Sequence, residues 1–186
     1  MAARSVVAAA LMLAAPASAQ DLGRALELPA HRALMAMRDG APLAPFETDG
    51  CSGGLSHGWE VVADAFPRFA AAHKDAPPWE GCCITHDRAY HRAGGADTAG
   101  ASWQARLDAD DTLNACVAAT AGERTDDLAA RYDMTPAQVR GAYATIAGAM
   151  YLAVRFGGVP CSGLPWRWGY GYASCTLLDA IGPAGD

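Results

Sequence analysis

One run of ten residues, Cys82-Cys83-Ile84-Thr85-His86-Asp87-Arg88-Ala89-Tyr90-His91, gathers most of the chemistry this chain could do. A neutral imidazole accepts a proton near neutral pH, and a carboxylate is a hard oxygen ligand. At about 100° per residue, Cys82 and His86 share one face of a helix, four positions apart. Cys83 and Asp87 share the neighbouring face for the same reason. One face therefore offers a disulfide anchor and a base, and the next offers a disulfide anchor and a metal-binding oxygen. Cys82, Cys83 and His86 could in principle ligate zinc. Against that, adjacent cysteines on a helix diverge, and no second Cys-x-x-Cys or His-x-x-x-His cluster completes a tetrahedral set.

These side chains need elements to hold them. Residues 22–38 read as an amphipathic helix closed by Asp39-Gly40. Residues 41–56 form a Gly/Pro-rich loop containing Asp49-Gly50-Cys51-Ser52-Gly53-Gly54. Residues 57–74 are mixed and helical in part, limited by Pro67. Pro77-Pro78 opens the helix that carries the ten-residue run, which ends near Gly94-Gly95. Residues 101–120 are a second strong helix, and Thr135-Pro136 caps and starts a third through Arg155. Residues 157–175 are loop-like and aromatic, with Trp166, Trp168, Tyr170 and Tyr172. That segment either packs on the core or forms an interfacial patch, since Trp and Tyr suit a bilayer boundary. His31, His57, His73 and His91 carry no constellation and are expected on the surface. The sequence has no internal repeat, and the apolar stretch 142–154 is too short to span a bilayer.

Composition limits the functions. Arg4, the apolar run 6–15 and the small-residue site Ala17-Ser18-Ala19 predict a signal peptide over residues 1–19, leaving residues 20–186 as a single domain. Export to the periplasm or the exterior follows, in an oxidising compartment where the six cysteines would form three disulfides. Six cysteines allow 15 pairings, so spacing alone does not choose among them. The net charge of −6, without a basic run, argues against nucleic acid as a partner and against strong electrostatic attachment to anionic lipid. A monomer is expected.

Suppose the helices around His86 and Asp110 are antiparallel neighbours and Cys82 bonds Cys116. Ala89 then faces Ala109, and His86 lies beside residue 112, within reach of Asp110 and Asp111. Cys83 would bond Cys51 and bring the glycine-rich loop against Asp87, leaving Cys161 and Cys175 to close the C-terminal loop. A His held by a carboxylate is a general base fixed in one tautomer. A carboxylate beside a loop of free carbonyls suits calcium, which takes six to eight oxygen ligands. The two together are a layout for ester hydrolysis, in which the metal holds the developing oxyanion and the His takes the proton of water.

The run Cys82-Cys83-Ile84-Thr85-His86-Asp87-Arg88-Ala89-Tyr90 resembles the active-site signature of secreted phospholipase A2, Cys-Cys-x-x-His-Asp-x-Cys-Tyr. Ala109-Asp110, with Cys116 six residues after the Asp, is similar to the Cys-Asp of that family's next helix. The departures, Ala89 and Ala109, replace both halves of one family disulfide. Asp49-Gly50-Cys51-Ser52 resembles the calcium loop of the bacterial and fungal branch. Arg106-Leu107-Asp108 is similar to that branch's helix-3 sequence, so Asp108 competes with Asp110; the register that pairs Cys82 with Cys116 favours Asp110. The resemblance spans roughly residues 45–120.

The resemblance implies a mainly α fold: a disulfide-linked antiparallel helix pair with a calcium loop and extra C-terminal helices. It implies His86 as base, Asp110 as its orienting carboxylate, and Tyr90 as a hydrogen-bond donor to that carboxylate. It implies Asp87, Asp49, Gly50, Ser52 and Gly54 as calcium ligands. The expected activity is calcium-dependent hydrolysis of the sn-2 acyl ester of glycerophospholipids in a membrane surface or micelle. The alternative is a catalytically inactive binding protein on the same scaffold, taking a lipid or a partner protein.

Overall fold

The computed structural model describes residues 19–48, 50–51, 77–176 and 178–179. The expected signal sequence, the mixed segment 57–74, and Asp49, Ser52, Gly53, Gly54, His57 and His73 lie outside the described residues. Among the described residues the protein is mainly α, with five α-helices and no strand. They are α1 (Ala19–Arg38), α2 (Glu80–His91), α3 (Ala99–Ala119), α4 (Thr125–Tyr132) and α5 (Pro136–Gly157), with a 3-10 turn at Ala93–Gly95.

Local chemistry sets these bounds. α1 stops at Arg38, and Gly40 follows in the left-handed region at φ 68°. α2 turns into α3 through Gly94 at φ 67°, where a Cβ would lie 2.6 Å from that of Ala105. Thr98 caps α3 by accepting from the Ala101 amide at 3.2 Å. Thr135 and Gln138 form a capping box at the start of α5, with Pro136 in the first turn. α4 is a short helix that the sequence reading did not anticipate.

α3 is the central element, packing against α1, α2 and α5, while α4 lies on α5. α2 and α3 run antiparallel, which the Cys82–Cys116 disulfide (Cα–Cα 5.8 Å) pins at one end. Cys51–Cys83 ties the loop before α2 to its other face, and Cys161–Cys175 closes the C-terminal loop. These are the expected pairings. They use all six cysteines, which removes the zinc alternative at Cys82 and Cys83.

The core has two apolar parts. One holds Trp79, Leu113, Val117, Leu128, Val139, Tyr143 and Met150. The other holds Leu34, Tyr90, Ala93 and Trp168 with the Cys161–Cys175 disulfide. His86, Arg106 and Asp110 are buried as well. Buried polar side chains need partners, because an unpaired one costs about 1–3 kcal/mol: His86 and Asp110 bond each other, and Arg106 bonds Glu27 and the Val154 and Arg155 carbonyls.

The aromatic segment packs on the core. Trp168 is fully buried, meets Tyr90 edge-on at 4.9 Å, and donates from Nε1 to Ser102 Oγ at 2.9 Å. Its neighbours cap α2: the Gly169 and Gly171 amides donate to the Tyr90 and His91 carbonyls at 2.7 and 3.0 Å. Two of the surface expectations are corrected here. His31 is fully buried with Nδ1 2.9 Å from Ser102 Oγ, and His91 is buried between Phe46 and Tyr170. His91 meets Tyr170 of that segment and His31 shares Ser102 with Trp168, partners that sequence periodicity within one helix does not reveal.

Candidate active site

His86 projects from α2 toward α3, where its Nε2 lies 2.9 Å from Asp110 Oδ1. Both side chains are buried, Asp110 completely. Nε2 is the ring nitrogen that engages Asp110, and Nδ1 is turned away from it. Nδ1 is 3.8 Å from Asp87 Oδ1, beyond a hydrogen bond. His86 lines a cavity of about 50 Å³ together with Gly50, Cys51, Cys83, Asp87, Met150, Ala153, Val154 and Trp166. That volume has room for water beside the base.

Burial, the largest single influence, pushes the His86 pKa down. The hydrogen bond to Asp110 and the negative charges of Asp110 and Asp87 outweigh it and hold the pKa above 6.5. Tyr90 donates to the same Asp110 oxygen at 2.7 Å. Burial, and after it the Asp110 charge, raises the Tyr90 pKa well above 10, so the phenol keeps the proton it donates. Asp108 and Asp111, the rival carboxylates, are exposed, and Asp108 takes its bond from Gln104. The structure brings His86 to Asp110 and to neither rival.

Asp87 stands on the loop side. Its Oδ2 accepts from Thr48 Oγ1 at 2.5 Å, and Thr48 Oγ1 accepts from the Gly50 amide at 3.0 Å. Gly50 is buried at φ 72°, and a Cβ there would meet Glu80 Oε1 at 2.9 Å. The Cys51–Cys83 bond holds this turn beside Asp87. A carboxylate with a tight backbone turn fits a hard cation in donor type. Among the described residues, no group of three or more His, Cys, Asp and Glu could hold a metal ion. Of the expected ligands, Asp87 and Gly50 line this cavity, while Asp49, Ser52 and Gly54 lie outside the described residues.

Sequence reasoning missed the far side of Asp110. Arg155 Nη1 donates to Asp110 Oδ2 at 3.0 Å, and its Nη2 donates to Glu27 Oε1 at 2.6 Å. Arg106 bonds the other Glu27 oxygen. Thr48 was missed too. No local signal marks these residues, since Arg155 and Glu27 meet across 128 positions.

A second groove, of about 300 Å³, lies between α2 and α3. Ala89 and Ala109, which replace the two halves of a disulfide in the resemblance, both line it, with Ala105 beside them. No family of proteins, no curated protein and no solved structure matches this chain.

Proposed function

We propose that this protein is a calcium-dependent phospholipase A2-like hydrolase that cleaves the sn-2 acyl ester of glycerophospholipids. The observation that carries the reading is the buried His86–Asp110 pair beside the cavity that His86, Asp87 and Gly50 line. In the reaction, Nδ1 takes a proton from water and the water oxygen attacks the ester carbonyl. Asp110 steadies the imidazolium that forms. His86 then returns the proton to the departing lysophospholipid oxygen, leaving a free fatty acid. Asp87 and Gly50, with Asp49, Ser52 and Gly54, would hold the calcium. When bound, calcium polarises the ester carbonyl and places positive charge against the developing oxyanion.

A lipid substrate is favoured by the apolar surroundings of the cavity. Phe156 is 81 % exposed and Leu152 54 % exposed on α5, the helix that supplies Met150, Ala153 and Val154 to its wall. Such residues next to a reactive cavity suit an aggregated lipid better than a dissolved polar ester. The cysteines and the expected leader are consistent with export to the periplasm or the exterior.

The test is hydrolysis of phosphatidylcholine micelles with calcium, with EDTA, and with His86→Gln. Loss of activity in EDTA is expected, together with a fall of about 10²–10⁴-fold in His86→Gln. Full activity in EDTA would sink the calcium role, and an active His86→Gln would sink the base. Thr48 already engages one Asp87 oxygen, which favours the binding-protein alternative to that extent. Lipid binding without turnover would establish that alternative.

A further inference from the structure

Asp110 is held from both sides. Oδ1 serves His86 and Tyr90, and Oδ2 accepts from Arg155. The guanidinium does not float there. Its other nitrogen is bound to Glu27 of α1, and the Arg155 backbone carbonyl accepts from Arg106 Nη2 at 2.7 Å. Arg106 also binds Glu27 and the Val154 carbonyl. Arg155 is thus fixed at its main chain and at its head, and its planar fork spans two carboxylates on two different helices.

A carboxylate turns about its last side-chain torsion in broad, twofold wells. His86 and Tyr90 both hold Oδ1, and Arg155 adds a separate anchor on Oδ2, which fixes the plane of the carboxylate. We propose that Arg155, braced by Glu27, is a positioning residue for the His86–Asp110 pair, locking the Asp110 carboxylate so that one oxygen meets His86 and Tyr90 together. The consequence is that α1, which contributes no reacting group, sets the orientation of the base. The rate effect rests on the function proposed above; the orientation itself does not.

Lysine is a poor replacement, because a single ammonium point charge lacks the fork that reaches both acceptors. The experiment compares the full-length chain with Arg155→Met and Arg155→Lys. It reads kcat and KM on phosphatidylcholine micelles with calcium, and the proton NMR resonance of the His86 Nε2–H. For Arg155→Met, kcat should fall about 10–100-fold with KM little changed, as expected for a misplaced base. The Nε2–H resonance should broaden or disappear as its hydrogen bond becomes intermittent. Arg155→Lys should recover part of both. A kcat within about twofold of wild type in folded Arg155→Met, or an unmoved Nε2–H resonance, would overturn the proposal. If Arg155→Met does not fold, Arg155→Lys carries the same two readouts, and both unchanged would overturn it. If the wild-type chain hydrolyses nothing, the functional reading fails, and the resonance alone decides the positioning role.

Discussion

The proposed base, His86, has one ring nitrogen engaged by Asp110 and the other beyond hydrogen-bond distance of Asp87. Its type and its place beside Cys82, Cys83 and Asp87 could be read directly from the chain. The choice of Asp110 over Asp108 could be read only through the cysteine register, and burial then separates the two: Asp110 is inaccessible while Asp108 is exposed and bonded to Gln104. Asp110→Asn should therefore lower phospholipid hydrolysis by about a hundredfold or more, as expected when an orienting partner is lost. Asp108→Asn should change it by less than about twofold, and assays of the two variants side by side check this. Arg155 and Glu27 were not legible. Each looks like a solvated helix charge, and nothing near either of them announces a partner carried by a different helix.

At the scale of elements, capping chemistry was the most readable. Thr135-Pro136, Asp39-Gly40 and Gly94-Gly95 marked helix ends that the structure keeps within a few residues. The buried stripe of α3 was the least readable, because Ser102, Arg106 and Asp110 are interleaved with Trp103, Leu107, Leu113 and Val117. An apolar periodicity search does not pick out the buried polar members of such a face. Ser102 and Arg106 are buried only because α1, α5 and the aromatic segment supply them with partners. The end of α5 has its own constraint. Gly158 brings its backbone so close to Tyr90 that a Cβ would lie 2.6 Å from the hydroxyl. Gly158→Ala should push Tyr90 off Asp110 and lower stability by about 1–3 kcal/mol, the usual range for overpacking. Thermal melts and the hydrolysis rate together check it, since a shift in stability alone would leave Tyr90 in place.

For the whole molecule, Glu27 and His31 make acid the vulnerable side. Burial, the leading influence, depresses the His31 pKa below 6.5; the Glu27 carboxylate, 3.8 Å away, opposes this, and the Arg106 and Arg155 charges add to it. Burial would raise the Glu27 pKa, but the nearby His31 ring and the two arginines outweigh it and hold it below 4.5. In both cases the unfolded chain binds a proton that the folded chain refuses. The stability these groups contribute is therefore complete above about pH 6.5 for His31 and about 4.5 for Glu27. It drains away as pH falls through the lower folded values. His86 runs the other way: its raised pKa adds stability below 6.5, lost as pH rises through the folded value. Melts of wild type and His31→Gln at pH 7.5 and 5.5 separate the two, and the loss on acidification should shrink in the variant. An equal loss in both would show that His31 is not held neutral. The disulfides act on the same scale, since each of the two that close loops of 32 and 34 positions removes chain entropy worth about 4 kcal/mol from the unfolded state.

Cys82 and Cys83 are neighbours in sequence but bond in different directions, one to Cys116 and the other to Cys51. Exchanging their partners is a phase error of about 100° in the rotation of α2. The chain would stay fully oxidised and could remain largely helical, yet His86 would point away from Asp110. Oxidation state would then be a poor guide to nativeness, and helical phase the property to proofread. Oxidative refolding of the reduced chain should accumulate swapped isomers that convert over minutes to hours. A thiol–disulfide isomerase should speed the recovery of native pairing, as read by peptide mapping of the bonds.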